Sequence, residues 1–144
     1  GVRHALVGGL AVGAHGWPRA TRDVDFLVDE TAFERRPGGL LVLKVPFEAG
    51  GVPVDSLAPR DDEPFLADAR DHAELTDGLP VIGLEALVYM KLKAGRMRDR
   101  VDVVELLKAG APADRCREWL ARNAPDLSSA FDELVATAER EAVG

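Results

Sequence analysis

The fold is decided by residues 5–15, which have the sequence ALVGGLAVGAH. Three apolar residues typical of a strand lead into Gly8 and Gly9, and small apolar residues suited to a short, tightly packed helix follow. Glycine lets the backbone approach a ligand closely, and the amides at a helix N-terminus are unpaired and carry positive partial charge. This junction therefore suits a phosphate group. A tight strand-to-helix turn without any ligand would have the same pattern.

A second strand, residues 24–28 (VDFLV), follows the helix and carries the pattern Asp23-Val24-Asp25. Side chains two positions apart on a strand point to the same side, so the two carboxylates repel each other unless cations neutralise them. The pattern favours a hard divalent ion, above all Mg²⁺, which binds carboxylate and phosphate oxygens together. An exposed strand edge with two solvated acids is the alternative.

A third acid, Asp55, lies inside the apolar segment 52–57 (VPVDSL). A buried carboxylate needs a partner, although a strand end or edge also accommodates one. Residues 40–45 (LLVLKV) predict another strand, which we expect to pair with 52–57 through the turn at Gly50 and Gly51. Residues 29–36 predict a brief helix, with Thr31 as its N-cap and Glu34 as the capping-box partner.

The second half of the chain is predicted to be helical. Residues 84–94 have helical apolar spacing, and Asp99 is the expected N-cap of the next helix. Further helices are expected at 113–122 and 126–142. This order predicts an α+β fold: a small mixed β-sheet with helices packed on one face and a helical C-terminal part.

We predict a catalytic core over residues 1–110 and a C-terminal helical extension of the same domain over 111–144. The first strand pattern already begins at Val2, so we expect upstream sequence to be missing.

The composition is that of a globular protein, with 144 residues, 47% of them hydrophobic and 30% charged. No apolar stretch approaches the roughly 20 residues of a membrane helix. The single cysteine, Cys116, excludes a disulfide framework and a cysteine-built zinc site, so we expect a cytoplasmic protein.

The net charge of −7 argues against nucleic-acid binding over the whole surface. One segment is nevertheless basic, and it favours a phosphate-bearing ligand, although a solvated helix face would look the same. Its cationic residues are Lys91, Lys93, Arg96, Arg98 and Arg100.

In order and spacing, these features resemble the nucleotidyltransferase superfamily that includes DNA polymerase β. The family pattern is an apolar residue before Gly-Gly or Gly-Ser, an interval like the 13 residues at 10–22, Asp-apolar-Asp-apolar, and a later acid flanked by apolar residues. The resemblance covers about residues 2–107 and points to the small bacterial branch with minimal nucleotidyltransferases and AbiEii-type toxins. The segments that carry it are GGLA at 8–11, HG at 15–16, RATRDVD at 19–25, LEAL at 84–87, KL at 91–92, AGR at 94–96, RD at 98–99, DV at 102–103 and LL at 106–107.

The resemblance implies roles for the motif residues. Gly8 and Gly9 would hold the triphosphate of a nucleotide. Asp23 and Asp25 would bind two Mg²⁺ ions, which Mn²⁺ can replace, and Asp55 would help to hold one metal and activate the acceptor hydroxyl.

The remaining predicted site residues are cationic or hydroxyl-bearing. Lys91 is the preferred phosphate contact, with Arg96 behind it, although Lys91 may equally extend to solvent along an apolar helix face. Arg19 and Thr21 lie in the loop before the acid pair, where they suit a phosphate contact, although Thr21 may only order the loop.

The expected enzyme is a Mg²⁺-dependent transferase that moves a nucleoside monophosphate group from a nucleoside triphosphate such as ATP to a hydroxyl of tRNA or protein. Pyrophosphate is released, and an aminoglycoside-type small-molecule acceptor remains open. The branch also implies a toxin with an antitoxin partner, and no membrane partner. The alternatives are a non-catalytic nucleotide-binding or partner-binding relative, against which the presence of all three acids argues, and a chain inactive without its upstream segment.

Overall fold

A six-stranded mixed sheet forms the centre of the computed structural model, which describes residues 1–144. Two further strands form a separate hairpin. The strands, numbered in chain order, are β1 His4–Val7, β2 Val24–Val28, β3 Phe33–Arg36, β4 Leu40–Leu43, β5 Glu48–Ala49, β6 Val52–Leu57, β7 Glu74–Thr76 and β8 Leu79–Val81. The strand order in the main sheet is β5-β6-β2-β1-β8-β7, and the hairpin pairs β3 with β4.

Six helices complete the chain and confirm the predicted α+β class. The predicted helices at 84–94, 113–122 and 126–142 are present with small changes at their ends. The helices are α1 Gly8–Ala14, α2 Pro64–Asp71, α3 Leu84–Ala94, α4 Met97–Lys108, α5 Ala113–Asn123 and α6 Ser128–Val143.

The register of the central strands brings the predicted acids together. β1 is antiparallel to β2, with Val7 opposite Asp25. β2 is parallel to β6, with Asp25 opposite Asp55. β1 passes directly into α1 at Gly8, so the diglycine lies beside the same end of the sheet.

One hydrophobic core joins the sheet to the helices. Val7 and Leu87 belong to the same buried cluster as Cys116, Leu120 and Phe131 from the C-terminal helices. Burial raises the pKa of the Cys116 thiol to about 11, and this side chain packs in the core. None of the helices is long and apolar enough to cross a membrane.

The segment before the hairpin differs from the prediction. Residues 29–36 do not form one helix: a single 3₁₀ turn covers Glu30–Ala32, and β3 follows at once. Asp29, not Thr31, is the N-cap, because its side chain accepts a hydrogen bond from the Thr31 amide at 3.0 Å. Phe33 is already extended and begins the hairpin.

The predicted pairing of residues 40–45 with 52–57 is also wrong. β4 pairs with β3, and the short strand β5 takes its place beside β6 across the turn at Gly50 and Gly51. β3 has the sequence FERR and no apolar strand pattern, and a short turn that contains Gly38 and Gly39 joins it to β4.

The start of α4 is the third correction. The helix begins at Met97, and its N-cap is Arg96. Asp99 is the third helical residue, and its carboxylate accepts a hydrogen bond from the Arg96 amide at 3.1 Å. Asp99 therefore does stabilise the helix start, but from inside the first turn.

Candidate functional site

A cleft of about 220 Å³ opens between the sheet and the helices α1, α3 and α4. All of the predicted site residues line it: Gly8, Gly9, Arg19, Thr21, Asp23, Asp25, Asp55, Lys91 and Arg96. The other lining residues are Val7, Leu57, Leu87, Met90, Ala94, Arg98 and Asp99.

The acids form a pair with a third member beside it. Asp25 and Asp55 occupy opposite positions on β2 and β6, and Asp23 lies two residues before Asp25. Burial raises the pKa of Asp25, the charges of Asp55 and Asp23 raise it further, and Lys91 offsets part of the effect. The three carboxylates thus interact electrostatically across the cleft wall.

This donor set fits a hard divalent ion that also binds a ligand. No three His, Cys, Asp or Glu side chains are grouped as a complete metal cage. Mg²⁺ is usually held by one or two carboxylates together with water and substrate phosphates, so a complete cage is not what it requires. A cation between Asp25 and Asp55 would relieve the repulsion that raises the pKa of Asp25.

The diglycine is required both by the backbone conformation of the turn and by the close packing of neighbouring side chains. Gly8 has a φ of +67°, and a Cβ atom there would overlap the Asp25 carboxylate. A Cβ atom at Gly9 would lie 3.0 Å from Thr21 Oγ1 and 3.2 Å from Arg19 Nη1. The backbone of these two residues therefore forms the floor against which the acid and the loop side chains pack.

A buried ion cluster forms the wall opposite the acids. Lys91 Nζ lies 3.2 Å from Asp99 Oδ1 and 2.9 Å from Asp102 Oδ2. Both aspartates are completely buried, and Lys91 is only 6% exposed. Lys91 therefore does not extend to solvent along the helix; its ammonium group is fixed inside the protein.

Two arginines complete the cluster. Arg19 forms a bidentate pair with Asp102, with Nε at 2.7 Å and Nη2 at 2.8 Å from its oxygens, and Arg96 Nε lies 2.7 Å from Asp99. Three cations thus share two carboxylates, which leaves a surplus of positive charge. Burial on its own would raise the pKa values of Asp99 and Asp102, but hydrogen bonds from these cations outweigh it and lower both.

Some site residues were not predicted from the sequence. Arg98, which was predicted only as a member of the basic segment, lines the cleft, is exposed and forms no ion pair. Asp99 was predicted only as a helix cap, whereas the structure makes it and Asp102 the buried anchors of the cations. The available signal was their i, i+3 spacing on a helix that follows Lys91 directly.

Thr21 was given two possible roles from the sequence, a phosphate contact or ordering of its own loop. Its hydroxyl donates to the Asp23 carbonyl oxygen at 3.4 Å, so it orders the loop that precedes β2. Its side chain also borders the cleft.

His15 lies at the end of α1. Its Nε2 atom contacts the carbonyl oxygen of Ile82 at 2.7 Å, so it connects the end of α1 to the chain after β8.

A scan against protein-family models and a search of curated proteins both return no match to this chain.

Proposed function

We propose that this chain is a nucleotidyltransferase that moves a nucleoside monophosphate group from a nucleoside triphosphate to a hydroxyl group of tRNA or protein. The arrangement that carries the proposal is the Asp25–Asp55 pair, with Asp23 beside it, facing a cluster of fixed cations across one cleft. Acids for a divalent ion and cations for phosphates are the two components that phosphoryl transfer requires.

The expected metal is Mg²⁺, held by Asp23, Asp25 and Asp55. When bound, it would polarise the triphosphate and stabilise the negative charge of the leaving group.

The chain's own residues would divide the remaining work. The backbone of Gly8 and Gly9 would hold the triphosphate at the floor of the cleft, and Arg19, Lys91 and Arg96 line the same cleft with surplus positive charge. Because the cations are fixed by Asp99 and Asp102, little reorganisation is needed when charge develops.

The reaction proceeds by attack of the acceptor hydroxyl oxygen on the α-phosphorus. The bond from that phosphorus to the oxygen bridging the β-phosphate breaks, and pyrophosphate leaves. Asp55 is the most exposed of the three acids, and it would take the proton from the hydroxyl. The bacterial branch that the chain resembles includes toxins. If the chain has the same role, it would be a toxin that an antitoxin protein inhibits.

The test is label transfer from each α-³²P nucleoside triphosphate to total tRNA and total protein, with and without Mg²⁺. We expect Mg²⁺-dependent labelling that is lost in the double variant Asp23→Ala/Asp25→Ala. Asp61→Asn is the matched control, because Asp61 is exposed and does not line the cleft. Binding of a nucleotide without transfer to tRNA, protein or a small-molecule hydroxyl would instead identify a binding protein.

A further inference from the structure

One apolar part of the cleft wall is formed by α3. Leu87, Met90 and Ala94 occupy positions i, i+3 and i+7, so they follow one face of the helix, and all three line the cleft. Leu87 is completely buried, Met90 is half-buried and Ala94 is exposed. Met90 and Ala94 therefore present an apolar ledge beside Lys91.

Among the side chains that line the cleft and can donate a hydrogen bond, Arg98 alone has no partner in the structure. Thr21 is the only neutral side chain lining the cleft that can donate a hydrogen bond through a hydroxyl or amide, and its hydroxyl already donates to Asp23. Arg19, Lys91 and Arg96 are held by Asp99 and Asp102. A planar ring on this ledge meets carbon and sulfur of α3, and Arg98 on α4 is the one cleft cation that no carboxylate holds.

We infer that the flat face of the nucleobase packs against Met90 and Ala94, so that the protein binds all four nucleoside triphosphates with similar affinity. This inference rests on the proposed function and specifies its substrate class. A thioether makes favourable contacts with any aromatic ring. An apolar surface discriminates weakly between rings, whereas a site that hydrogen-bonds one of them rejects the others strongly.

The test is calorimetric titration of the full chain with ATP, GTP, CTP, UTP and inorganic tripolyphosphate, all in Mg²⁺. We expect the four nucleotide dissociation constants to agree within about tenfold, as apolar recognition allows. Met90→Ala should weaken all four by about three- to tenfold through lost apolar contact and leave tripolyphosphate unchanged. Met90→Leu, which conserves volume, should retain binding.

Met97→Ala is the matched control, because Met97 is 81% exposed on α4 and does not line the cleft. It should leave all five affinities unchanged. A preference for one base greater than tenfold would overturn the inference while leaving the proposed function in place; a preference for GTP would point to base recognition by Arg98. Equal weakening of tripolyphosphate by Met90→Ala would also overturn it. If none of the five compounds bound, the proposed function itself would fail. The comparison among nucleotides uses the wild-type chain and does not depend on any variant folding.

Discussion

Asp25 on β2 and Asp55 on β6 lie directly opposite each other in the parallel register of neighbouring strands. Their charges oppose each other in the folded protein and contribute to the raised pKa of Asp25, of which burial is the larger cause. The protein therefore keeps two acids together at a cost to its own stability, as expected of a site selected for a ligand.

Asp25→Asn should raise the melting temperature of the metal-free protein, because it removes a half-buried charge and its repulsion with Asp55. The same variant should lose the stabilisation that Mg²⁺ gives to the wild type. Thermal unfolding with and without Mg²⁺ measures both effects, and Asp61→Asn should change neither. A variant that is still stabilised by Mg²⁺ to the wild-type extent would contradict the assignment of Asp25.

Asp55→Asn should lower the rate of transfer by about 10²–10⁴-fold, the usual contribution of a general base. Nucleotide affinity should change much less, since the cations on the opposite wall are intact. Single-turnover kinetics together with calorimetry separate the two quantities. Near-normal turnover would show that another group accepts the proton.

Gly9→Val should weaken nucleotide binding, because its side chain would displace Thr21 and Arg19 from the floor of the cleft. Gly13→Ala is the control on the same helix, since a Cβ there meets only Pro18 at ordinary contact distance. Calorimetry should show a loss for Gly9→Val alone. Equal nucleotide affinity of the two variants would show that the phosphates do not bind beside Gly9.

Asp102→Ala should destabilise the protein by about 3–5 kcal/mol, because it leaves the buried Lys91 and the bidentate partner Arg19 without their shared carboxylate. Urea unfolding measures the change. Asp114→Ala is the contrasting variant: Asp114 is exposed and pairs only with the surface residue Arg117, so its loss should cost less than about 1 kcal/mol. Similar costs for both would show that the cluster does not depend on Asp102.

Stability should also fall in acid through Asp29. Burial alone would raise the pKa of Asp29, but hydrogen bonds from Thr31 and Arg3 outweigh it and lower the pKa from 3.8 to about 2. The unfolded chain takes up this proton first, so the stabilisation is present above pH 3.8 and is lost as the pH falls towards 2. Urea unfolding from pH 7 to 2 should show Asp29→Asn less stable than wild type at pH 7, with the difference shrinking in acid. A constant difference would contradict the shift.

The helices and strands that could be predicted from the sequence are those with a short-range sequence pattern. Strand, diglycine and helix around Gly8, the acids of β2, and the helix α3 each have a short-range pattern, and the structure has all of them. The hairpin partner of residues 40–45 was mispredicted because β3 has the sequence FERR, which carries no apolar strand pattern, so the apolar segment 52–57 was the only partner that the pattern indicated.

The buried ion cluster shows why the rest was not predictable. Arg19 and Asp102 are separated by 83 positions, and no local sequence motif indicates that they form an ion pair. A charged residue in a sequence indicates exposure by default, so the sequence did not predict that Lys91 is enclosed. Such pairings depend on the assembled fold.

The hairpin β3–β4 leaves β2 and returns before β5 without joining the main sheet. Its tip, at Gly38 and Gly39, has positive φ angles and open space around both residues. β2 and β6 pair with each other directly, so their alignment does not depend on the length of this excursion. A reporter peptide spliced between the two glycines would give a handle for tethering or imaging that lies outside the ladder carrying Asp25 and Asp55.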